Sequence, residues 1–393
     1  MIAIVGGSIA AFVAYRTIKK YQPDADVKVF SKESVIPYSK MLLPYILTSN
    51  VEANMFYPIG DDLFLEKEIV ELDADEKYIK DKSNWKYYYD KLIIATGADA
   101  KKPSFEGDYD ADKIITIRYL NDIYKIRDLI RQASFRRVVI VGAGLVSMEM
   151  GHALSMAGFD VRFVVGSNRI LSQILNKSSA DFVEKIITDN HRVEFYKQDG
   201  IETINSYNDG LIVKLKSSKE IECDFVVVGR GVSPNVSFLS GDFSDGVEVD
   251  EFLKTGFRDV YAVGDVAKSY DAVVNKKISH AIWPVAIEEA EIAARNVLGF
   301  DMTEEPQITR NVLPVFGMNI FTAGVSKLEE YDGILEDYSD GLRRILFKDG
   351  MLDGFVFVGD VYDFGEYVNI MRKRVNIKGV EKALLFSSKA AKL

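Results

Sequence analysis

One cysteine and three histidines are spread over 393 residues, and each scarcity closes off a kind of chemistry. Cys223 alone permits no intramolecular disulfide, no Cys-x-x-Cys redox pair and no cluster of thiolate ligands. His152, His191 and His280 are scattered without zinc-ligand spacing, so no metal site is expected and all three are read as structural or surface groups. No apolar run approaches the ~18 residues that a membrane span requires. No charged leader precedes the first apolar segment, so a secretory signal is not expected and the cytoplasm is the expected location. The closing Ala391-Lys392-Leu393 is read as chance rather than as a peroxisomal address. A formal charge of -10 argues against nucleic acid as a partner, because phosphates demand a basic face.

What the chain does have is glycine in two matching places. Ile2-Ala3-Ile4-Val5 runs into Gly6-Gly7-Ser8, and Val138-Val139-Ile140-Val141 runs into Gly142-Ala143-Gly144. Each apolar run is too short for a buried helix and suits a parallel strand, and each turn is followed by apolar residues at helical spacing. Val27–Phe30 and Val161–Val165 supply the next strands, so each turn sits in a complete βαβ unit. In such a unit Gly6 or Gly142 allows the tight turn. Small groups at Ser8 and Ala11, or at Gly144 and Ser147, let backbone and helix come close, and the helix amides can then hold a pyrophosphate. Two such turns imply two dinucleotides.

Three further stretches end a strand in a small-residue turn: Leu92-Ile93-Ile94-Ala95-Thr96-Gly97, the Gly229-Arg230-Gly231-Val232-Ser233-Pro234-Asn235 run, and Val260–Val263 leading to Gly264-Asp265. A flat ring or ribose can lie against the first two, and Asp265 is well placed for a polyol hydroxyl. Pro284 opens a helix that runs to about Leu298. The last eighty residues lack any glycine fingerprint. Strands are expected over 312–325 and 343–358, with a hairpin turn at Asp349-Gly350 and a final helix near 365–374.

This order of motifs resembles the two-dinucleotide-binding flavoprotein family. Pro37-Tyr38-Ser39-Lys40-Met41-Leu42-Leu43, Trp283-Pro284 and Lys348-Asp349-Gly350…Val358-Gly359-Asp360 look like its rubredoxin-reductase and nitrite-reductase flavin-domain branch. The resemblance implies an α/β fold of two Rossmann-like three-layer domains and a small C-terminal α+β domain. The FAD-binding domain would be discontinuous, over 1–108 and 237–308. The NAD(P)-binding domain would cover 109–236, and the α+β interface domain 309–393. NADH or NADPH would hand a hydride to FAD, and the electrons would pass to a small rubredoxin- or ferredoxin-like protein. A small-molecule or O2 acceptor is the alternative, and a homodimer through the C-terminal region is allowed.

By the same resemblance FAD would be held by Gly6, Gly7, Ser8, Ala11, Lys40, Ala95, Thr96, Gly97, Gly264 and Asp265, with the main chain near Ile69 against the adenine and Trp283 facing the flavin. NAD(P)H would lie on Gly142, Gly144, Ser147, Gly229 and Gly231. Glu149 matches a glutamate near the redox centre, and Tyr45 stands where relatives often carry its lysine partner, so Glu149 is either unpaired or meets Lys40. Where thiol-using relatives carry a cysteine, positions 41–45 hold Met41, Leu42, Leu43, Pro44 and Tyr45.

Both ribose positions depart from the family pattern of a carboxylate about 20 residues past the turn. The first has Ser31 beside Lys32 and Glu33, so Glu33 is the shifted candidate. The second has Val165 followed by Gly166-Ser167-Asn168-Arg169. Ser167 and Arg169 suit a 2′-phosphate and tilt the choice slightly toward NADPH. Arg372, Lys373 and Arg374 form a basic stretch that either meets an acidic partner or simply suits a helix end. Two other functions stand beside the reductase: a cysteine-free NAD(P)H oxidase, and an interaction or assembly subunit whose FAD is mainly structural. The purified protein should be yellow, with a flavin spectrum bleached by NADH or NADPH. Colourless protein that refuses added FAD would overturn the reading.

Overall fold

The structure is a computed structural model that describes residues 1–49, 51–339 and 341–390, so the closing tripeptide lies outside the described residues. By its internal contacts the chain divides into two compact units. One comprises Met1–Leu42, Val51–Asp99 and Val232–Thr309; the other comprises Leu43–Asn50, Ala100–Gly231 and Arg310–Leu393.

The first unit is built on a parallel sheet in the order Val260–Ala262, Lys91–Ile94, Ile2–Val5, Val27–Phe30, Leu63–Phe64. Its inner strands are mostly apolar and largely buried because both faces are covered. The Ile9–Tyr21 helix buries Ala10, Ala11, Val13, Ala14 and Ile18, and the Trp283–Val297 helix packs on it through Ala286, Ala290, Ala293 and Ala294. These small side chains let the two helices approach closely over the sheet. A three-stranded antiparallel sheet, Ile69–Asp73, Tyr78–Asp81 and Lys86–Tyr88, belongs to the same unit.

The second unit repeats the design. Its parallel sheet runs Val193–Lys197, Asp160–Val165, Arg137–Val141, Phe225–Val228, Ile114–Thr116. In both sheets the strand that feeds the glycine turn is central, with the strand after its helix on one side and a later strand on the other. That is a doubly wound, Rossmann-like arrangement with its crevice at the carboxyl ends of the strands. The C-terminal part is a separate antiparallel sheet in the order Arg310–Val315, Met318–Gly324, Met351–Val358, Leu342–Lys348, Gly333–Asp337. The stretch expected as strand over 312–325 contains a hairpin turn between two strands. Phe316 and Gly317, at φ of 50° and 76°, make its turn, as Asp349 and Gly350 do for the next hairpin. Among the described residues no helix is long and apolar enough to cross a membrane.

The glycines of the second turn are needed for different reasons. Gly142 has φ of +98°, and a Cβ there would stand 2.3 Å from the carbonyl oxygen of Gly229, whereas a Cβ on Gly144 would meet open space. Gly142→Ala should therefore destabilise the fold by more than about 2 kcal/mol. Gly144→Ala should stay within about 0.5 kcal/mol of the parent. Urea unfolding of the two variants checks the contrast, and equal effects would contradict it.

Candidate functional site

The first turn is pressed between strand ends. Gly6 has φ of +149°, and a Cβ there would lie 2.1 Å from the Ala95 carbonyl oxygen; one on Gly7 would lie 2.1 Å from Ser31 Oγ. Ser8 stands at the N-cap of the Ile9–Tyr21 helix, yet no side chain caps that end and its first turn carries no acidic residue. The helix amides and positive dipole end are thus left to an outside anion, which fits a dinucleotide pyrophosphate. Ala11 is fully buried, where a larger side chain would push the helix off the sheet.

Around this turn the predicted contacts are partly engaged with one another. Buried Ser31 accepts from the Glu33 amide at 3.2 Å. The Glu33 carboxylate receives the Tyr38 hydroxyl at 2.6 Å and the Lys40 ammonium at 2.8 Å. Lys32 pairs with Asp99 at 2.8 Å. Ile69 opens its strand opposite Asp81 and is buried. Thr96 Oγ1 donates to the Asn235 carbonyl at 2.7 Å, and Asn235 returns Nδ2 to the Thr96 carbonyl at 3.0 Å and its amide to Gly97 at 2.9 Å. The Ala-Thr-Gly stretch is therefore tied to the asparagine that closes the later Gly-x-Gly-x-x-Pro-Asn stretch. Gly97 takes φ of +64° in doing so.

Gly264 and Asp265 are positioned by a residue that the sequence reading missed. Gly264, at φ of +74°, donates its amide to Glu289 Oε2 at 2.6 Å, and Ser269 Oγ donates to Glu289 Oε1 at 2.8 Å. Glu289 is buried, and burial pushes its carboxyl well above the usual range. The signal was available: Glu289 stands at helical spacing among Ala286, Ala290 and Ala293, where a surface glutamate has no business. Ser279 Oγ donates to the Asp265 carbonyl at 3.0 Å, so the turn is held from both sides. Partly exposed Trp283 starts the next helix, whose first turn has no acidic residue and no side-chain cap.

The second turn follows the same rules. Ser147 Oγ donates to the Gly229 carbonyl at 3.3 Å, and a Cβ on Gly229 would collide with that oxygen at 2.1 Å. Gly231, at φ of +82°, faces open space. The Leu145–Met156 helix has no side-chain cap and no acidic residue in its first turn. Glu149 follows on this helix, and burial pushes its carboxyl up to about 7. No described cation pairs with it. The short Pro44–Leu47 3-10 helix packs on this helix, and the Tyr45 phenol is raised by burial and then by the Glu149 charge. Lys40 forms an ion pair with Glu33.

At the second ribose position both polar candidates are engaged. Ser167 Oγ donates to the Arg169 carbonyl at 2.7 Å. Arg169 Nε donates to the Leu175 carbonyl at 2.9 Å, and its Nη1 lies 3.6 Å from Glu329 Oε1. In the basic stretch Arg374 pairs with the nearly buried Asp353 at 2.6 Å, so its charge secures the end of the Phe364–Arg372 helix to the sheet. Cys223 is fully buried and its thiol is pushed up to about 12, chiefly by burial. That thiol does not ionise at physiological pH and is chemically inert.

A family signature described as pyridine nucleotide-disulphide oxidoreductase matches residues 1–290. The chain is 26% identical to the rubredoxin-NAD(+) reductase of Pseudomonas putida, over 85% of this chain and 88% of that protein. It is 24% identical to the epsilon subunit of NADH-dependent phenylglyoxylate dehydrogenase of Aromatoleum evansii, over 95% and 92%. The fold superposes on the covalent putidaredoxin reductase–putidaredoxin complex with a TM-score of 0.87 at 18% identity, covering 99% of this chain and 98% of that one.

The raised carboxyl of Glu149 has a consequence for stability. Its folded value of about 7 lies above the ordinary 4.5, so its contribution is fully present below pH 4.5 and is lost as pH rises through 7. Glu149→Gln should leave the melting temperature unchanged near pH 4.5 and raise it above pH 7, by up to roughly 3 kcal/mol of stability. Thermal melts across that range measure this. An equal loss at both ends would show that Glu149 is instead held ionised by an unseen cation.

Proposed function

The chain belongs to the pyridine nucleotide-disulphide oxidoreductase family and is an FAD-dependent NAD(P)H oxidoreductase; from that premise we propose that it passes electrons from NAD(P)H through FAD to a small electron-transfer protein, with no thiol on the route. The observation that carries this reading is the missing sulfur. Positions 41–45 are Met, Leu, Leu, Pro and Tyr, and the sole cysteine is buried with its thiol pushed up to about 12. Disulfide, persulfide and sulfenate chemistry all need an accessible thiolate, so electrons must leave by another way. The similarity to a rubredoxin reductase over most of both chains supports a protein acceptor.

In this reading Gly6, Gly7, Ser8 and Ala11 would hold the FAD pyrophosphate against the helix amides, and Glu33, braced by Tyr38 and Lys40, would accept from the adenosine ribose. Asp265, in a turn fixed by Glu289 and Ser279, serves the ribityl chain. The uncapped start of the Trp283–Val297 helix favours negative charge beside it. Gly142, Gly144 and Ser147 take the nicotinamide nucleotide. Bound FAD supplies the two-electron to one-electron conversion; the protein orients it and manages protons. Glu149, half protonated near neutral pH, can hold or release a proton at its carboxyl while Tyr45 keeps its own.

A second reading is favoured by the similarity to the epsilon subunit, which spans nearly all of both chains: the acceptor is then a partner subunit rather than a diffusing protein. Both readings predict the same behaviour of the isolated chain. Under anaerobic conditions NADH or NADPH should bleach the flavin, a ferredoxin- or rubredoxin-type protein should restore it quickly, and air should restore it slowly. Cys223→Ser should leave the bleaching rate unchanged. Fast recovery in air with none from iron proteins would assign an oxidase. No bleaching by either nucleotide would make the FAD structural.

A further inference from the structure

The second ribose position, as read from the sequence, lacks a carboxylate, and one from a distant part of the chain reaches the Arg169 side chain expected there. After the Asp160–Val165 strand, Val165 occupies the place of the usual acidic residue, and Arg169 is the one cation among the four residues that follow it. The C-terminal part sends Glu329 to this corner. Its Oε1 accepts the Lys177 amide, at the start of the Lys177–Asn190 helix, at 2.7 Å and lies 3.6 Å from Arg169 Nη1.

Two latches hold the segment that carries Glu329. Buried Ser326 donates Oγ to the Ile174 carbonyl at 2.9 Å, and Arg344 donates Nη2 to the Leu328 carbonyl at 2.6 Å. The backbone that carries this carboxylate is therefore placed by the fold, and the carboxylate itself is held by the Lys177 amide. Arg169 is restrained too, through its Nε bond to the Leu175 carbonyl.

We propose that Glu329 is a cofactor-specificity residue: it occupies the cationic corner formed by Arg169 and the Lys177 amide, excludes a 2′-phosphate and makes the chain an NADH enzyme. The inference rests on the reading that the Gly142–Ser147 turn takes the nicotinamide nucleotide. A 2′-phosphate would bring about −2 charges against the Glu329 carboxylate and would have to displace it from both partners. A neutral 2′-hydroxyl meets no such repulsion and can donate to a carboxylate. Ser167, the other group suited to a phosphate, spends its hydroxyl on the Arg169 carbonyl.

The test is equilibrium binding of ADP-ribose and of 2′-phospho-ADP-ribose to the flavin-loaded protein by calorimetry, independent of turnover. The parent should bind ADP-ribose more tightly. Glu329→Gln, which keeps the shape and removes the charge, should shift the affinity ratio toward the 2′-phosphate by roughly five- to tenfold. Glu329→Ala should shift it the same way. Adding Arg169→Ala to Glu329→Gln should abolish the gain, because Arg169 is the cation released. A parent that prefers the 2′-phosphate, or a ratio unmoved within about twofold in both Glu329 variants, would overturn the proposal while leaving the nucleotide site intact. Failure of both ligands to bind, with no bleaching by either nicotinamide, would overturn the underlying assignment and the proposal with it.

Discussion

Both glycine turns depend on one constraint: a strand must turn into a helix while its first turn residue lies against the carbonyl of a neighbouring strand. Gly6 meets Ala95 and Gly142 meets Gly229 at distances that no side chain tolerates. This contact sets where each helix begins and in which direction its free amides point. It also brings the end of the adjacent strand to the rim of the same crevice. The Ala95–Gly97 and Gly229–Gly231 segments are thereby set beside the two turns. Relaxing either contact would move the helix start, the neighbouring strand end and every group carried on them.

The charges follow from that geometry. None of the three helix starts implicated in cofactor binding carries an acidic residue in its first turn, so their positive ends are not neutralised from within. Two carboxyls raised by burial serve different ends. Glu289 accepts two hydrogen bonds and holds the Gly264 turn, whereas Glu149 pairs with no cation among the described residues and its carboxyl is pushed up to about 7 by burial. Several cations that look available in the sequence are already engaged: Lys40 by Glu33, Arg374 by Asp353, and Arg169 by a backbone carbonyl and a nearby carboxylate. The balance leaves the crevices attractive to a diphosphate while the flanking basic groups are largely satisfied within the protein.

Much of the fold was legible because its determinants are local. Unbroken runs such as Val138–Val141 and Leu92–Ile94 announce buried parallel strands, and a glycine turn between such a run and a helical pattern announces a βαβ unit. The Asp349-Gly350 turn is equally local. The hairpin at Phe316-Gly317 was harder to see, since phenylalanine at a positive φ is not an expected turn residue. The C-terminal Gly333–Asp337 strand was also missed: only its pairing with Leu342–Lys348 defines it.

The sequence by itself determined the two nucleotide turns, the order of motifs around them and the exclusion of thiol chemistry, since each rests on residue identity or short-range spacing. Only the tertiary structure decided which charged groups are free to act. Glu289 under Gly264, Tyr45 beside Glu149 and Glu329 near Arg169 join residues far apart in the chain. Electrostatic pairing depends on distance in space and on burial, and neither can be read from position along the chain.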